Sequence, residues 1–221
     1  TDRSGNANSA YYFDKATQNQ YISASDTGFP AGNAARTMAC WILCEVHSSI
    51  VYGTFIIYGH QTSDNVSQIG FDKRNGKSNL VFTKSGPDWF GPIIEHDRWY
   101  HIVYTYDGVI NSKFYVNGEL KTSGSPFSLN TTLPGTFYIG NDYRLIMQHS
   151  GSIDEVRIYN RALDATEIQT LYDQEAPLPT PTGLSVSKGT FTDKVRITWN
   201  AVANATGYKL FRNTSNSSNS L

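Results

Sequence analysis

The stretch Gly151–Tyr172, GSIDEVRIYNRALDATEIQTLY, constrains the fold more than any other part of the chain. Alternation predicts a strand over Ile153–Tyr159. It sets Asp154, Val156 and Ile158 on one face and Ile153, Glu155, Arg157 and Tyr159 on the other. Asn160–Ala162 breaks the pattern, and Asp164 then stands at an N-cap position with Glu167 three residues on. That is a capping box, in which two orphan backbone N–H groups are satisfied reciprocally. Leu163 and Ile168 have the spacing of a hydrophobic staple across the cap. The expected helix, near Asp164–Tyr172, carries Ile168, Leu171 and Tyr172 as an apolar stripe for docking on a sheet. Asp154 is the misfit: a carboxylate beside Val156 and Ile158 requires a cation, several N–H donors or solvent.

The preceding residues read as many short strands at near-regular spacing. Ala10–Phe13 and Tyr21–Ser23 flank an Asp14–Gln20 loop. Thr37–Cys44, centred on Trp41, is apolar on both faces and is expected to be central. Gly53–His60, Gln68–Asp72, Asn79–Thr83, Tyr100–Tyr106, Lys113–Val116, Glu119–Lys121 and Thr136–Ile139 follow, with Asn75-Gly76 and Asn117-Gly118 as two-residue hairpin turns. Ser85–Pro92 is expected to be a loop from its Gly and Pro content, and Asn141–His149 a polar loop. The pattern predicts an all-β fold, a two-sheet antiparallel sandwich of jelly-roll type with one short helix.

Hydrophobic residues at 39% of the 221, with 13% aromatic, are enough for a sizeable strand-built core. A net charge of −1 gives no basic field, which argues against nucleic acid and anionic membrane surfaces as partners. No apolar run approaches the roughly 20 residues of a membrane span. Cys40 and Cys44 would lie on one strand face about 13 Å apart, too far for a disulfide, and read as small buried hydrophobes. Asn65, Asn130, Asn204, Asn213 and Asn216 begin Asn-x-Ser/Thr sequons, in a chain rich in those residues. The opening TDRSGNANSA reads as the inside of a domain, so the chain is expected to be a mature fragment. Residues 175–181, EAPLPTP, are expected to link a domain over residues 1–174 to a shorter segment over 182–221.

Four segments in order carry a family resemblance: AYYFDKATQNQYI from Ala10, RTMACWI from Arg36, RWYHIVYTYDG with FYVNG from Arg98, and GSIDEVRIYNRAL from Gly151. Together they resemble laminin-G-like (concanavalin A-like) jelly-roll domains over roughly residues 1–173. The closest comparison is with modules appended to secreted bacterial hydrolases and adhesins. The tail, with PTGL, ITWN and GYKLFR, is similar to the first three strands of a fibronectin type III domain. The resemblance implies an extracellular, secreted or cell-surface setting. It also implies a structural Ca²⁺ shared by Asp14 and Asp154, with help from Asn19 and Gln20, whose amides would replace acids often found there. Calcium takes six to eight oxygen ligands, which suits such a set. In the other reading, both aspartates accept backbone N–H bonds as turn residues.

Sugar recognition requires an aromatic face flanked by planar polar side chains. Trp89 and Phe90 in SGPDWFGP, and Tyr143, Arg144 and His149 in NDYRLIMQHS, fall in expected loops and are the candidate ligand-binding residues. Trp89 has a second reading, as a tryptophan folded onto its own sandwich. Trp41, Trp99 and Trp199 read as core. Hydrolases of the resembled fold use two acids on one strand face, whereas Asp154 and Glu155 are adjacent and point apart. No Gly-x-Ser-x-Gly or His-Glu-x-x-His occurs. The expectation is therefore a non-catalytic carbohydrate-binding module recognising a polysaccharide or glycan. The alternative is a structural or adhesion module contacting protein or spacing other domains.

Overall fold

Strand periodicity is realised almost throughout the first 176 residues. The computed structural model describes residues 1–210 apart from 15, 18, 46–50, 61–64, 75, 76, 85–87, 188–191, 204 and 209. The strands are β1 (Tyr11–Phe13), β2 (Ile22–Ala24), β3 (Arg36–Cys44), β4 (Tyr52–Gly59), β5 (Val66–Arg74), β6 (Lys77–Thr83), β7 (Trp89–Ile94), β8 (Trp99–Tyr106), β9 (Ser112–Val116), β10 (Glu119–Gly124), β11 (Phe137–Ile139) and β12 (Gly151–Tyr159). One helix among the described residues of the first unit, α1 (Ala165–Glu175), follows. The first sheet has the order β1-β12-β3-β8-β9-β10 and the second β2-β11-β4-β5-β6-β7, with every recorded pairing antiparallel. This is the expected two-sheet sandwich of jelly-roll type. Contacts divide the chain into Thr1–Ala176 and Pro177–Leu221.

β3 is central and buried on both faces, as its double-sided apolar pattern requires. Met38, Cys40, Ile42 and Cys44 enter the inter-sheet core, while Ala39 and Trp41 face the helix side. Both cysteines are free and buried, and burial pushes both thiols far up. Across the core, Phe82 stacks on Tyr104 with ring centroids 3.9 Å apart.

Arg36, at the start of β3, is fully buried between the sheets. Its Nη1 donates to Tyr58 Oη (3.0 Å), Ser67 Oγ (2.9 Å) and Thr131 Oγ1 (2.6 Å). Nε donates to Ala34 O (2.9 Å) and Nη2 to Gly32 O (2.8 Å). One guanidinium thereby ties the first sheet to β4, β5 and two loops, its donor fork satisfied by neutral acceptors.

The capping box forms as read: Asp164 Oδ1 accepts from Glu167 N (2.9 Å), and Glu167 Oε2 accepts from Asp164 N (3.0 Å). Leu163 and Ile168 bury together with Ala39, Val103 and Tyr115, which completes the staple. The helix runs on past Tyr172, so Glu175 belongs to α1 and not to the linker. Its carboxylate holds it there. Trp41 Nε1 donates to Glu175 Oε2 (2.8 Å) and Arg157 Nε to Oε1 (2.8 Å), while Tyr172 stacks on Trp41 at 5.6 Å.

Two sequence expectations fail locally. The β12 ladder passes from Asp154↔Trp41 to Arg157↔Ala39, which sets two residues, Glu155 and Val156, against Cys40 alone, and Glu155 has φ +48°. This β-bulge reverses the alternation. Ile153, Val156 and Ile158 all turn to the core, so Asp154 does not share their face. It meets Arg3 instead, whose Nη1 donates to Asp154 Oδ2 at 2.7 Å while the guanidinium lies 4.9 Å over the Trp41 ring. Second, the expected Ser85–Pro92 loop overlaps β7, which begins at Trp89. Pro92 is tolerated because β7 is an edge strand, and Gly91 because a Cβ there would come within 2.7 Å of Phe114. Asn117 (φ +53°) and Gly118 (φ +82°) make the expected turn between β9 and β10. Asn75-Gly76 lies outside the described residues, between paired Arg74 and Lys77.

The second unit contains β13 (Ser185–Val186) paired with β14 (Ile197–Thr198), and Trp199 packs edge-on against Tyr208 at 5.2 Å. The third strand expected there, Tyr208–Arg212, and the sequons at Asn204, Asn213 and Asn216 fall wholly or partly outside the described residues.

Replacing Asp164 by Ala should cost about 1 kcal/mol and lower the melting temperature by roughly 2–4 °C. Arg36→Lys loses the planar fork and at least two charge-assisted bonds, so about 3 kcal/mol of stability should disappear in urea denaturation.

Candidate functional site

The helix and the Arg3 side chain close the outer face of the first sheet over Trp41 and His101, which leaves the outer face of the second sheet to be considered. Register places its residues. Tyr138 of β11 pairs with Ile57, Ile57 with Gln68 and Gln68 with Thr83. The next row is Thr54, Gly70, Val81 and Phe90, and beyond it come Tyr52, Asp72, Asn79 and Ile93. Thr54, Ile57, Gln68 and Val81 form a floor with little exposure, while Tyr21 (44%), Tyr52 (41%) and Phe90 (37%) stand out at the rim. Tyr21 packs edge-on to Tyr138 at 5.4 Å. With strands ~4.8 Å apart, Tyr138 and Phe90 are separated by roughly 20 Å across four strand spacings.

The 141–149 loop stands beside this floor and is built on Asp142, which is fully buried. Its Oδ1 accepts from Ile146 N (2.9 Å) and Met147 N (3.1 Å), and its Oδ2 accepts from Arg144 Nε (2.7 Å). Arg144 is thus held half-exposed, 5.5 Å over the Tyr143 ring, with Nη2 3.6 Å from Met147 Sδ. The same sulfur is 3.7 Å from Gln68 Nε2, which also donates to Thr54 Oγ1 (2.8 Å). Arg144, Met147, Gln68, Thr54, Ile57 and Tyr138 therefore form one contiguous surface. It offers aromatic faces, a fixed guanidinium and a planar amide, the groups suited to stacking on and hydrogen-bonding a polyhydroxylated ligand.

The candidate residues divide between this surface and the interior. Phe90, Tyr143 and Arg144 lie at the outer face. Trp89 is turned inward, stacked on Phe114 at 5.2 Å and edge-on to Tyr104 at 6.3 Å, which is its folded-back reading. His149 is fully buried between Phe13, Phe55 and Phe71, and its Nε2 donates to Leu43 O (3.1 Å). Burial holds its imidazole neutral, with the pKa lowered to about 4, so it cannot contact a ligand at the surface.

The expected calcium pair does not come together. Asp14 follows the Phe13↔Gly151 pair at one end of the β1–β12 ladder, and Asp154 follows Tyr11↔Ile153 at the other. Four residues of strand, about 13 Å, separate them. Asp154 already has a cation in Arg3, and Asp14 caps its own turn by accepting from Ala16 N (2.8 Å). The Asp14–Gln20 loop is held by Gln148: its Nε2 donates to Asp14 O (2.8 Å) and Thr17 O (3.1 Å), and its Oε1 accepts from Gln20 N (3.2 Å). Asn19 adopts φ +66° in that turn. Among the described residues no cluster of three or more His, Cys, Asp and Glu suits a metal. The Asp14–Asp154 set does not fit a shared calcium ion.

Tyr21, Tyr138, Gln68 and the organising Asp142 were not singled out from the sequence. Only strand register joins them, and the one available signal was the Asp-x-Arg spacing at Asp142 and Arg144.

Residues 16–169 match the concanavalin A-like lectin/glucanases superfamily. No curated protein matches the sequence. Among solved structures, a heptameric SAP-like pentraxin from Limulus polyphemus is similar with a TM-score of 0.58 and 19% identity, covering 75% of this chain and 82% of that one. Domain 4 of the extracellular GH43 arabinanase AbnA from Geobacillus stearothermophilus, in complex with arabinotriose, has a TM-score of 0.51 and 20% identity, covering 73% and 86%. The receptor-binding domain of botulinum neurotoxin D has a TM-score of 0.56 and 16% identity, covering 76% of this chain and 44% of that one; this chain spans less than half of it. At such identities the likeness is one of fold.

The buried histidines set a pH response. His149 and His101 both have pKa values lowered to about 4, chiefly by burial, whereas unfolded histidine titrates near 6.5. The unfolded chain therefore binds more protons between these values, and stability falls as pH drops from about 6.5 to about 4. In His149→Phe, urea denaturation should show this slope reduced by about 1.4 kcal/mol per pH unit.

Proposed function

The chain belongs to the concanavalin A-like lectin/glucanases superfamily, and from that premise we propose that it is a non-catalytic glycan-binding module of an extracellular protein. The observation that carries the reading is the Asp142-held Arg144 beside Met147, Gln68 and the Tyr138–Tyr21 pair on the outer face of the second sheet. Fixing the guanidinium in advance lowers the ordering cost of binding. The exposed rings at the rim supply stacking area, and Arg144 supplies donors for hydroxyl groups. Domain 4 of the arabinanase, crystallised with arabinotriose, and a putative carbohydrate-binding protein from Bacteroides ovatus (TM-score 0.52, 19% identity) lend support by fold. Among the described residues no helix is long and apolar enough to cross a membrane.

The non-catalytic part of the reading is supported by the acids of β12. Asp154 is paired with Arg3 and Glu155 with Arg157, so neither stands ready as nucleophile or proton donor. The second unit is read as the start of a fibronectin type III-like spacer, supported by the β13–β14 pair and the Trp199–Tyr208 contact.

A glycan array probed with the full chain should yield at least one ligand class. Arg144→Ala should weaken that binding about tenfold or more, the equivalent of one charge-assisted hydrogen bond. Retention of no glycan, or equal binding by the variant, would overturn the reading. Incubation with xylan, agar and laminarin should release no reducing ends.

A further inference from the structure

A second concave site lies away from the outer face, beside the Asn117-Gly118 turn. A cleft of about 520 Å³ opens between the β9–β10 hairpin, α1 and the ends of β7 and β8. Its volume falls within the ~300–1,000 Å³ of small-ligand sites. The side chains that matter are Tyr100, Asn117, Glu119, Lys121, Gln169 and Tyr172.

The two tyrosines are fixed. Tyr172 is backed by Trp41 at 5.6 Å, and Tyr100 Oη accepts from Glu95 N (3.3 Å). The two amides are each half-used. Asn117 Oδ1 accepts from His101 N (2.9 Å), and no acceptor for its NH₂ is present among the described residues. Gln169 Nε2 donates to Asp173 Oδ1 (2.8 Å), and no donor to its carbonyl oxygen is present among the described residues. Gly118 lets the turn lie against the helix, since a Cβ there would come within 2.5 Å of Gln169 Oε1. Glu119 and Lys121 are ion-paired to each other at the rim.

These observations select a ligand class. The charges cancel within the cleft, so an anion would meet Glu119 and a cation Lys121, each displacing an existing pair. What remains is two aromatic edges, one amide donor and one amide acceptor, which complement a neutral molecule rich in hydroxyl groups. We propose that this cleft binds an uncharged oligosaccharide segment independently of the outer face, giving the module two glycan sites. The proposal rests on the glycan-binding reading for its ligand class but not for its location. Two sites on one rigid unit would strengthen attachment to a repeating polymer through effective concentration.

The test is NMR titration of the ¹⁵N-labelled full chain with laminaritriose, arabinotriose and trigalacturonic acid, following the side-chain amides of Asn117 and Gln68. Variants are Lys121→Ala with Gln169→Ala for the cleft and Arg144→Ala for the outer face, each checked for an unchanged fold by its amide spectrum. A neutral trisaccharide should shift Asn117 in the wild type and in Arg144→Ala. The cleft double variant should need at least tenfold more sugar for the same shift. Movement of Asn117 without movement of Gln68 would uphold the cleft and overturn the outer face as a site. An Asn117 signal unmoved by both neutral sugars, moved as strongly by trigalacturonic acid, or moved equally in the double variant would overturn the cleft.

Discussion

A single buried guanidinium holds the two sheets in register. Arg36 sits in the inter-sheet core with no exposure, and its acceptors are three hydroxyls and two loop carbonyls, none of them charged. Burying such a group is tolerable only when its donors are all met. Tyr58, Ser67 and Thr131 therefore cannot move independently of β3. Their positions set the β4–β5 pairing, and that pairing puts Gln68 opposite Ile57 and within reach of Met147 Sδ. The geometry of the outer face is thus inherited from a charge on the opposite side of the same strands.

The two faces of the sandwich have been treated differently by the chain. Over the first sheet, α1 buries Ala39, Val103 and Tyr115, and Glu175 binds the indole N–H of Trp41. Burial raises the Glu175 carboxyl's pKa, an effect that Trp41 and Arg157 oppose. Over the second sheet the described cover is lighter: the Asp142 loop contributes Met147 at the floor, and aromatic rings remain exposed around it. The helix covers Trp41 and His101 and leaves a cleft open beside the Asn117-Gly118 turn, whereas the other side keeps a loop-walled floor.

Much of the fold was legible because it is local. The Asp164–Glu167 box, the Leu163–Ile168 staple, the Asn117-Gly118 turn and the two-sided burial of β3 each lie within a window of eight residues or fewer. What escaped is long-range. A bulge at Glu155 reverses every side chain after it, and alternation alone carries no sign of it. β7 was hidden by Gly91 and Pro92, whose presence makes sense only at an edge and beside Phe114. At the candidate site, Tyr143 and Arg144 were visible as polar and aromatic loop residues. Trp89 and His149 look alike in sequence but fill the core, because residue type does not say which way a side chain turns. Tyr138 and Gln68 are brought near the loop by register across three strands, which no short window contains.

The Arg3 contacts have a topological consequence. Arg3 donates through Nε to the carbonyl of Glu175 and through Nη1 to Asp154, so the first residues and the end of α1 meet at one point. The first unit is therefore closed on itself in space, much like a ring with a small gap. Its cyclic order could be cut elsewhere, for instance beside the exposed Ser125, and resealed between residues 176 and 1 by a short flexible linker. Such a rearranged chain would keep both sheets and the helix. It would also move the attachment point for any fused neighbour away from the end of α1.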